Sequence, residues 1–395
     1  MSSKLATTLV HLKQAQLKQL CLLCGLKTSG TKPELAAVLS HAAITSRNNN
    51  PATAGAPRRI LSIDMGIRNL GYALLTEPPT STPAPSPLTT ADDPLAALRR
   101  PLPTHLHAWK RQALVSDEQP GTLYSDAFTP TAMAAMTDRL LRTELLALRP
   151  THVLIERQRF RSGGGAGVFE WTLRVNTLEA MLHASLRTLR ELGHWDGDAV
   201  SIAPGRVGPF WLSDGGVVGA ATAGKETETA KAAAEAEVEV EKEKGKGKGK
   251  GGKKSKVVEA LEELAKETTK VKVNSKKLKI DTVGRWLDQG DLVLPQSDGA
   301  NIAVKSFYHN WKRFYQTWRR ISRSKWKVAE DGTELFEDSR KLDDLADSLL
   351  QGMAWMRWEE NKRLLFIEGG IRRLLAERGV DTPVDNTLYT SQPVI

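Results

Sequence analysis

The sequence predicts an α/β protein with a mixed five-stranded sheet flanked by helices, preceded by a small helical module. Two observations lead to this prediction. After residue 58, short apolar runs alternate with segments of helical periodicity, and several of these runs end in an acidic residue. Before residue 45, leucines recur only at helical spacing, and a Pro- and Gly-containing linker, 45–57, follows them. The apolar share of 40% can fill a core.

Composition and charge exclude several classes of protein. No apolar run approaches the roughly 18 residues of a membrane span, so we expect no membrane association. Two cysteines cannot staple a secreted scaffold, and we find no secretory signal, which favours a reducing compartment. The net charge of +10 favours a polyanionic partner. Residues 1–63 hold a single acidic residue, Glu34, so Met1–Leu20 is either a mitochondrial targeting helix or part of the folded module.

The N-terminal module, residues 1–44, is predicted to be a helical hairpin. Leucines over residues 12–20 form one helix, and Gly25 ends it because glycine readily adopts a left-handed conformation. Thr31 suits the N-cap of a second helix, in which Glu34 completes a capping box. The pattern resembles the SAP motif, a small DNA-binding helical hairpin.

The SAP resemblance implies DNA-backbone contacts near Lys27 and Lys32, and the alternative is a hairpin used only for docking. Cys21 and Cys24 form a C-x-x-C pair on the first helix. Because no second pair or suitable histidine spacing follows, we interpret them as buried small residues rather than zinc ligands.

A carboxylate ends the first predicted strand. The apolar run 60–63 leads to Asp64, and a tight turn through Gly66 opens a second strand over 67–75. Burying a carboxylate is costly unless it binds a cation. Asp64 is therefore either a metal ligand or a solvent-facing residue at a strand end.

A second carboxylate is followed by arginines. Helical periodicity over 137–148 ends at Pro150, and a strand over 152–155 leads to Glu156. An acid for a metal and then arginines for phosphate is the order expected of a phosphodiester-cutting site, and the alternative is a surface Arg–Glu network. A helix over 168–192 and a strand over 199–204 follow. The loop residues proposed for DNA contact are Arg157, Arg159, Phe160 and Arg161.

The third acidic cluster opens the last long helix. Asp343 and Asp344 precede Asp347 by four and three residues, so either pair projects from one helix face. A divalent cation would relieve the repulsion between them. The alternative is a helix N-terminus whose acids are stabilised by the helix dipole.

The remaining segments complete the predicted organisation. The nuclease-like core spans 58–212 and 257–370, a low-complexity segment at 213–256 interrupts it, and 371–395 form a tail. The interruption is either a solvated insertion or a Lys-rich arm that contacts phosphates. Cations alternate with aromatics over 270–327, which suits nucleic-acid binding. The candidate DNA-contacting residues there are Lys276, Lys277, Lys312 and Arg313.

The three acidic motifs together have the ribonuclease-H-like order, in which strand and helix carboxylates hold two Mg²⁺ ions. Segments 60–69, 155–162 and 341–350 resemble the fungal mitochondrial Holliday-junction resolvases, relatives of the bacterial RuvC resolvases. The resemblance implies a homodimeric endonuclease of the mitochondrial matrix. It would bind four-way DNA junctions and nick them symmetrically, using two Mg²⁺ or Mn²⁺ ions and no small-molecule cofactor.

Site residues follow from the resemblance by motif. Asp64, Glu156 and Asp347 match metal ligands, and the fourth carboxylate is Asp343 or Asp344, a choice that the sequence leaves open. Two other functions stay open on the residues alone. One is an RNA–DNA hybrid nuclease of the same fold, and the other is a non-catalytic SAP-type DNA-binding protein.

Overall fold

The computed structural model describes residues 2–48, 57–78, 98–115, 124–158, 170–212, 276–320, 342–367 and 369–375. Contacts divide the chain into two compact units. The sheet unit comprises Arg58–Thr76 and Pro103–Gly352, and the helical unit comprises Met1–Pro57, Glu77–Leu102 and Met353–Ile395. None of the helices in these described ranges is both long and apolar enough to cross a membrane.

The sheet is mixed, as predicted, and has six strands in the order β5-β4-β1-β2-β3-β6. Strand β2 is antiparallel to β1 and β3, whereas the other pairings are parallel. The additional strand has three residues and pairs with the start of β3, too short for an alternating pattern to reveal it. The strands are β1 Arg59–Asp64, β2 Leu70–Thr76, β3 Thr104–Gln112, β4 His152–Glu156, β5 Asp198–Ile202 and β6 Val293–Pro295.

Ten helices are described. The helix predicted over 137–148 starts earlier, because Thr129 accepts a hydrogen bond from the Ala132 backbone and caps it. Its last turns are a π-helix and a 3₁₀ turn, which end at Arg149 with a left-handed φ of 50°. The helices are α1 Ser2–His11, α2 Gln14–Leu23, α3 Lys32–Asn48, α4 Pro130–Leu140, α5 Glu170–Glu191, α6 Pro204–Leu212, α7 276–289, α8 Asp298–Arg320, α9 Leu342–Leu364 and α10 Gly370–Leu375.

One face of the sheet packs on α4 and α5. Alternate residues of β1, β2 and β4 point to this face, as expected from the two-residue period of a strand. They bury against leucines and methionines of the two helices. The strand residues in this core are Leu61, Ile63, Leu70, Tyr72, Leu74, Val153 and Ile155.

The opposite face of the sheet packs on the first half of α9. The Gln351 side chain donates 3.1 Å hydrogen bonds to Ser62 Oγ and to the Ile63 carbonyl. Trp109 Nε1 donates to the Leu345 carbonyl at 3.0 Å. Side chains alternate along a strand, so residues an even number of positions away from Ser62 or Trp109 (residues that share parity with them) face α9 as well.

The helical unit joins α1–α3 to the second half of α9. Asn361 Nδ2 donates to the Leu23 carbonyl at 2.7 Å, and Ser46 Oγ donates to Glu359 Oε2 at 2.6 Å. The unit therefore extends beyond the predicted module of residues 1–44, because these buried polar contacts involve residues that follow Met353.

The hairpin features predicted from the sequence are present in this unit. Gly25 has a left-handed φ of 66°, and the Thr31 backbone donates to Glu34 Oε2 at 2.8 Å, which is one half of the capping box. Cys21 and Cys24 are buried and free. Burial raises the pKa of Cys24 to about 12, so its thiol stays protonated, and the interpretation as a buried small residue is confirmed.

Replacing Asn361 by leucine is expected to lower the free energy of unfolding by about 1–3 kcal/mol, because the buried Leu23 carbonyl loses its donor. Urea unfolding would measure the change. Lys18→Leu, which places a leucine on the exposed side of α2, is the matched control with little expected effect. Equal midpoints for the two variants would contradict the role of this hydrogen bond.

Candidate functional site

Two carboxylates meet where β1 and β4 end. The register pairs Ile63 with Ile155 on these parallel strands, so the next residues, Asp64 and Glu156, are neighbours. Their carboxyl groups are hydrogen-bonded to each other. Both residues share parity with Ser62 or Leu154 and therefore project from the sheet face that α9 covers.

The N-terminus of α9 adds two further acids above this edge. Gly71 pairs with Asp64 across β1 and β2, and a Cβ built on Gly71 would lie 2.6 Å from the Asp344 carbonyl oxygen. The missing side chain at Gly71 thus lets the first turn of α9 rest on β2. Asp347 lies one turn further along the same helix and also faces the strand ends.

Burial and mutual repulsion disfavour the charged forms of these carboxyl groups. Burial raises the pKa of Asp64 well above its usual range, and Glu156, Asp347 and Asp344 raise it further. Burial and Asp343 raise the pKa of Asp344 to about 7, and burial raises that of Asp347. Such a set releases protons readily only when a cation compensates the charge.

Two lysines of α7 already supply part of that compensation. Lys276 forms an ion pair with Asp343, and Lys279 lies 2.7 Å from Asp347. Their three-residue spacing on α7 matches the four-residue spacing of the aspartates on α9. Asp343 is paired with Lys276, while Asp344 and Asp347 both raise the pKa of Asp64.

The donor set suits a hard divalent cation. Asp64, Glu156, Asp344 and Asp347 offer carboxylate oxygens, the ligands that Mg²⁺ prefers, and the raised pKa values of the three aspartates indicate that nearby positive charge does not fully compensate their negative charge. Across the ranges that the structure describes, no three acidic, histidine or cysteine side chains are already arranged as a ligand shell. A metal would therefore require small side-chain movements and would compete with Lys279 for Asp347.

The other predicted residues are distributed over both units. Lys27 and Lys32 are exposed in the helical unit, while Lys277 follows Lys276 on α7. Lys312 lies 3.3 Å from Asp288 and over the Tyr308 ring, and Arg313 beside it is exposed. Arg157 is exposed directly after Glu156. Three loop residues lie outside the described residues, namely Arg159, Phe160 and Arg161, as does the segment 213–256.

Three residues near the cluster were missed by the sequence analysis. The sequence marks Lys279 only by its helical spacing from Lys276, and many surface lysines have such a spacing. Glu179 of α5 accepts a 2.8 Å hydrogen bond from the Gln158 backbone, two residues after Glu156. Arg111 of β3 donates to Asn69 Oδ1 at 3.1 Å. Neither of the last two has a local motif, because each contact depends on strand register or helix packing.

A comparison with known protein families shows to which family this chain belongs. The model described as "mitochondrial resolvase Ydc2 / RNA splicing MRS1" matches residues 60–365. The chain belongs to this family. The matched range contains every carboxylate of the cluster and excludes Lys27 and Lys32, so the Ydc2/MRS1 relationship concerns the sheet and α9, not the start of the helical unit.

One curated protein and two solved structures are also similar to parts of this chain. The mitochondrial cruciform cutting endonuclease 1 of Schizosaccharomyces pombe is 30% identical over 172 residues, 44% of this chain and 54% of that protein, so the match spans about half of the relative's length. The crystal structure of the yeast mitochondrial Holliday junction resolvase Ydc2 superposes with a TM-score of 0.45 and 22% identity, covering 91% of this chain and 98% of that one. For Thermus thermophilus RuvC the TM-score is 0.22 at 16% identity, covering 38% and 67%.

The raised pKa of Asp344 predicts a pH-dependent stability. A folded pKa of about 7, against about 3.9 in an unfolded chain, means that the proton stabilises the fold at low pH. This stability is fully present below the unfolded pKa and is lost as the pH rises through 7. Asp344→Asn mimics the protonated acid, so it is expected to raise the melting temperature in EDTA at pH 8.

The difference between Asp344→Asn and the unmodified protein should shrink towards pH 5, where Asp344 itself is protonated. Thermal unfolding followed by circular dichroism at both pH values measures it. Asp291→Asn, at an exposed aspartate, should change the melting temperature little at either pH. A lower melting temperature of Asp344→Asn at pH 8 would contradict the placement of Asp344 in the acidic cluster.

Proposed function

We propose that this protein is a structure-selective endonuclease that binds four-way DNA junctions and resolves them by paired, symmetric, metal-dependent nicks. The observation that carries the proposal is the cluster of Asp64, Glu156, Asp344 and Asp347 at the ends of β1, β4 and the start of α9. The family description includes both a resolvase and an RNA-splicing protein. A half-buried group of four carboxylates supports hydrolysis of a phosphodiester rather than binding alone.

Each residue of the cluster has a role in this reaction. Asp64, Glu156, Asp344 and Asp347 would hold two Mg²⁺ or Mn²⁺ ions, whose chemistry is to activate a water and to stabilise the leaving 3′ oxygen. Lys276 and Lys279 form ion pairs with Asp343 and Asp347 and bring positive charge to the place where a phosphate must approach. Gln351 holds β1 against α9 and so keeps the strand and helix acids in register.

The proposal includes assembly, location and further DNA contacts. Two opposed strands are cut symmetrically when two identical sites are related by a two-fold axis, so we propose a homodimer. The relatives are mitochondrial proteins by name, and we propose the same location for this protein, in recombination and segregation of mitochondrial DNA. The exposed Lys27 and Lys32 suit backbone contacts of a SAP-like hairpin.

A substrate panel tests the function. The protein is incubated with Mg²⁺ and a labelled four-way junction, a linear duplex of the same sequence, or an RNA–DNA hybrid. Paired nicks confined to the junction are expected. Equal cutting of the linear duplex would contradict junction selectivity, and cutting of only the hybrid would indicate the alternative nuclease. Binding without cutting in Mg²⁺ and in Mn²⁺ would indicate a non-catalytic DNA-binding protein.

A further inference from the structure

A cationic residue, Arg111, lies in the same row of paired residues across the sheet as Asp64. The register pairs Asp64 with Gly71 and Gly71 with Arg111, so these three residues lie side by side across β1, β2 and β3. Arg111 shares parity with Trp109, whose indole contacts α9, and therefore projects from the same face as Asp64. Two strand spacings, about 10 Å, separate the two backbones.

Nothing from β2 stands between the acid and the cation, because the residue between them is Gly71. The backbone of Asp344 covers this position, so the first turn of α9 lies between Asp64 and Arg111. The Arg111 guanidinium is half-buried and donates to Asn69 Oδ1 at 3.1 Å. Asn69 belongs to the turn that joins β1 to β2, so its amide orients the guanidinium from the loop side.

We infer that Arg111, oriented by Asn69, is a DNA-backbone contact that binds a phosphate adjacent to the scissile one on the cleaved strand. The inference rests on the proposed function and adds a contact to those of the lysines of α7. Lys276 and Lys279 approach the cluster from α7, whereas Arg111 flanks it along β3.

A DNA strand that passes over the acidic cluster is repelled by the carboxylates, and a cation beside the cluster offsets that repulsion. A phosphate bound at the acidic cluster brings neighbouring phosphates close to half-buried carboxylates that repel them. A guanidinium has five N–H donors in a planar fork, so the bond to Asn69 is compatible with a bidentate contact to phosphate. The alternative is a purely structural Arg111 that fixes the turn at Asn69 and balances the charge of Asp344.

Salt dependence distinguishes the two roles. Junction affinity is measured between about 50 and 200 mM salt for the Asp64→Asn protein, which cannot cut, and for the same protein carrying Arg111→Gln. A lost phosphate contact should lower the slope of log K against log salt by about 0.9 and the low-salt affinity roughly tenfold. Arg187→Gln, at an exposed arginine of α5, is the matched control with an unchanged slope.

An unchanged slope for Arg111→Gln, with normal circular dichroism, would overturn the inference and leave the proposed function intact. Absence of junction binding by the Asp64→Asn protein itself would instead contradict the proposed function. If Arg111→Gln does not fold, Arg111→Lys is combined with junctions that carry one neutral methylphosphonate beside the cut site. The affinity penalty of that neutral linkage should be smaller for Arg111→Lys than for the Arg111 protein, and equal penalties would overturn the inference.

Discussion

Asp64→Asn is expected to abolish junction cleavage and to leave junction binding nearly unchanged. Asp64 is the central acid of the cluster, since Glu156 is hydrogen-bonded to it and both Asp344 and Asp347 act on its pKa. An amide keeps the size of the side chain but removes the negative charge that would hold a metal under the proposed function. Loss of several kcal/mol of transition-state stabilisation corresponds to a fall in cleavage rate of roughly 10³-fold or more.

Binding should survive Asp64→Asn because contacts to DNA phosphates carry the affinity, and a buried acid contributes repulsion rather than attraction. Single-turnover cleavage and a gel-shift titration of the same junction measure the two properties. Asp138→Asn is the matched control, because Asp138 is exposed on α4 and pairs with the neighbouring Arg142, one turn away on the same helix. A folded Asp64→Asn protein that cuts at more than a tenth of the normal rate would refute the assignment of Asp64 as a metal ligand.

Gly71→Ala is expected to lower both stability and cleavage. The added Cβ would lie 2.6 Å from the Asp344 carbonyl oxygen, a backbone atom that cannot turn aside as a side chain can. The first turn of α9 must move away from β2, which costs about 1–3 kcal/mol of unfolding free energy. Because Asp344 moves with that turn, a displacement of about 1 Å is expected to lower cleavage roughly 10²-fold.

Gly299→Ala, in the first turn of α8, separates this contact from the general effect of adding a methyl group. A Cβ on Gly299 meets nothing within 4 Å, and alanine favours helical backbone over glycine by up to about 1 kcal/mol. Chemical denaturation and single-turnover cleavage are measured for both variants. Normal stability and normal cleavage of Gly71→Ala would show that the start of α9 does not rest on β2 as described.

Much of the sheet unit is predictable from the sequence because its elements have strong local patterns. The apolar runs before Asp64 and Glu156 become β1 and β4, and the leucines of α5 recur over Glu170–Glu191, close to the predicted 168–192. The three-residue strand β6 is different, because its pairing with β3 depends on residues far away in the chain. No periodicity within it distinguishes a strand from a loop.

The helical unit shows a similar division. Gly25 and the Thr31–Glu34 contact are local features, set by the conformational freedom of glycine and by side chains three residues apart. The burial of Asn361 against Leu23 is not local, and a helix that contributes to two units has no composition boundary at Met353. Composition therefore predicts a hairpin but not the helix that completes its core.

By itself, the sequence predicted the acids of the cluster, because acids at strand ends and at a helix start form local patterns that resemble the resolvase motifs. Only the tertiary structure shows how these acids are arranged. The contact of α9 with Gly71 rests the first turn of α9 on β2, the packing of α7 pairs Lys279 with Asp347, and the register of β1, β2 and β3 places Arg111 in the row of Asp64. The physical reason is that charges interact through space over a few ångströms, whereas sequence spacing specifies distance only within one helix or strand.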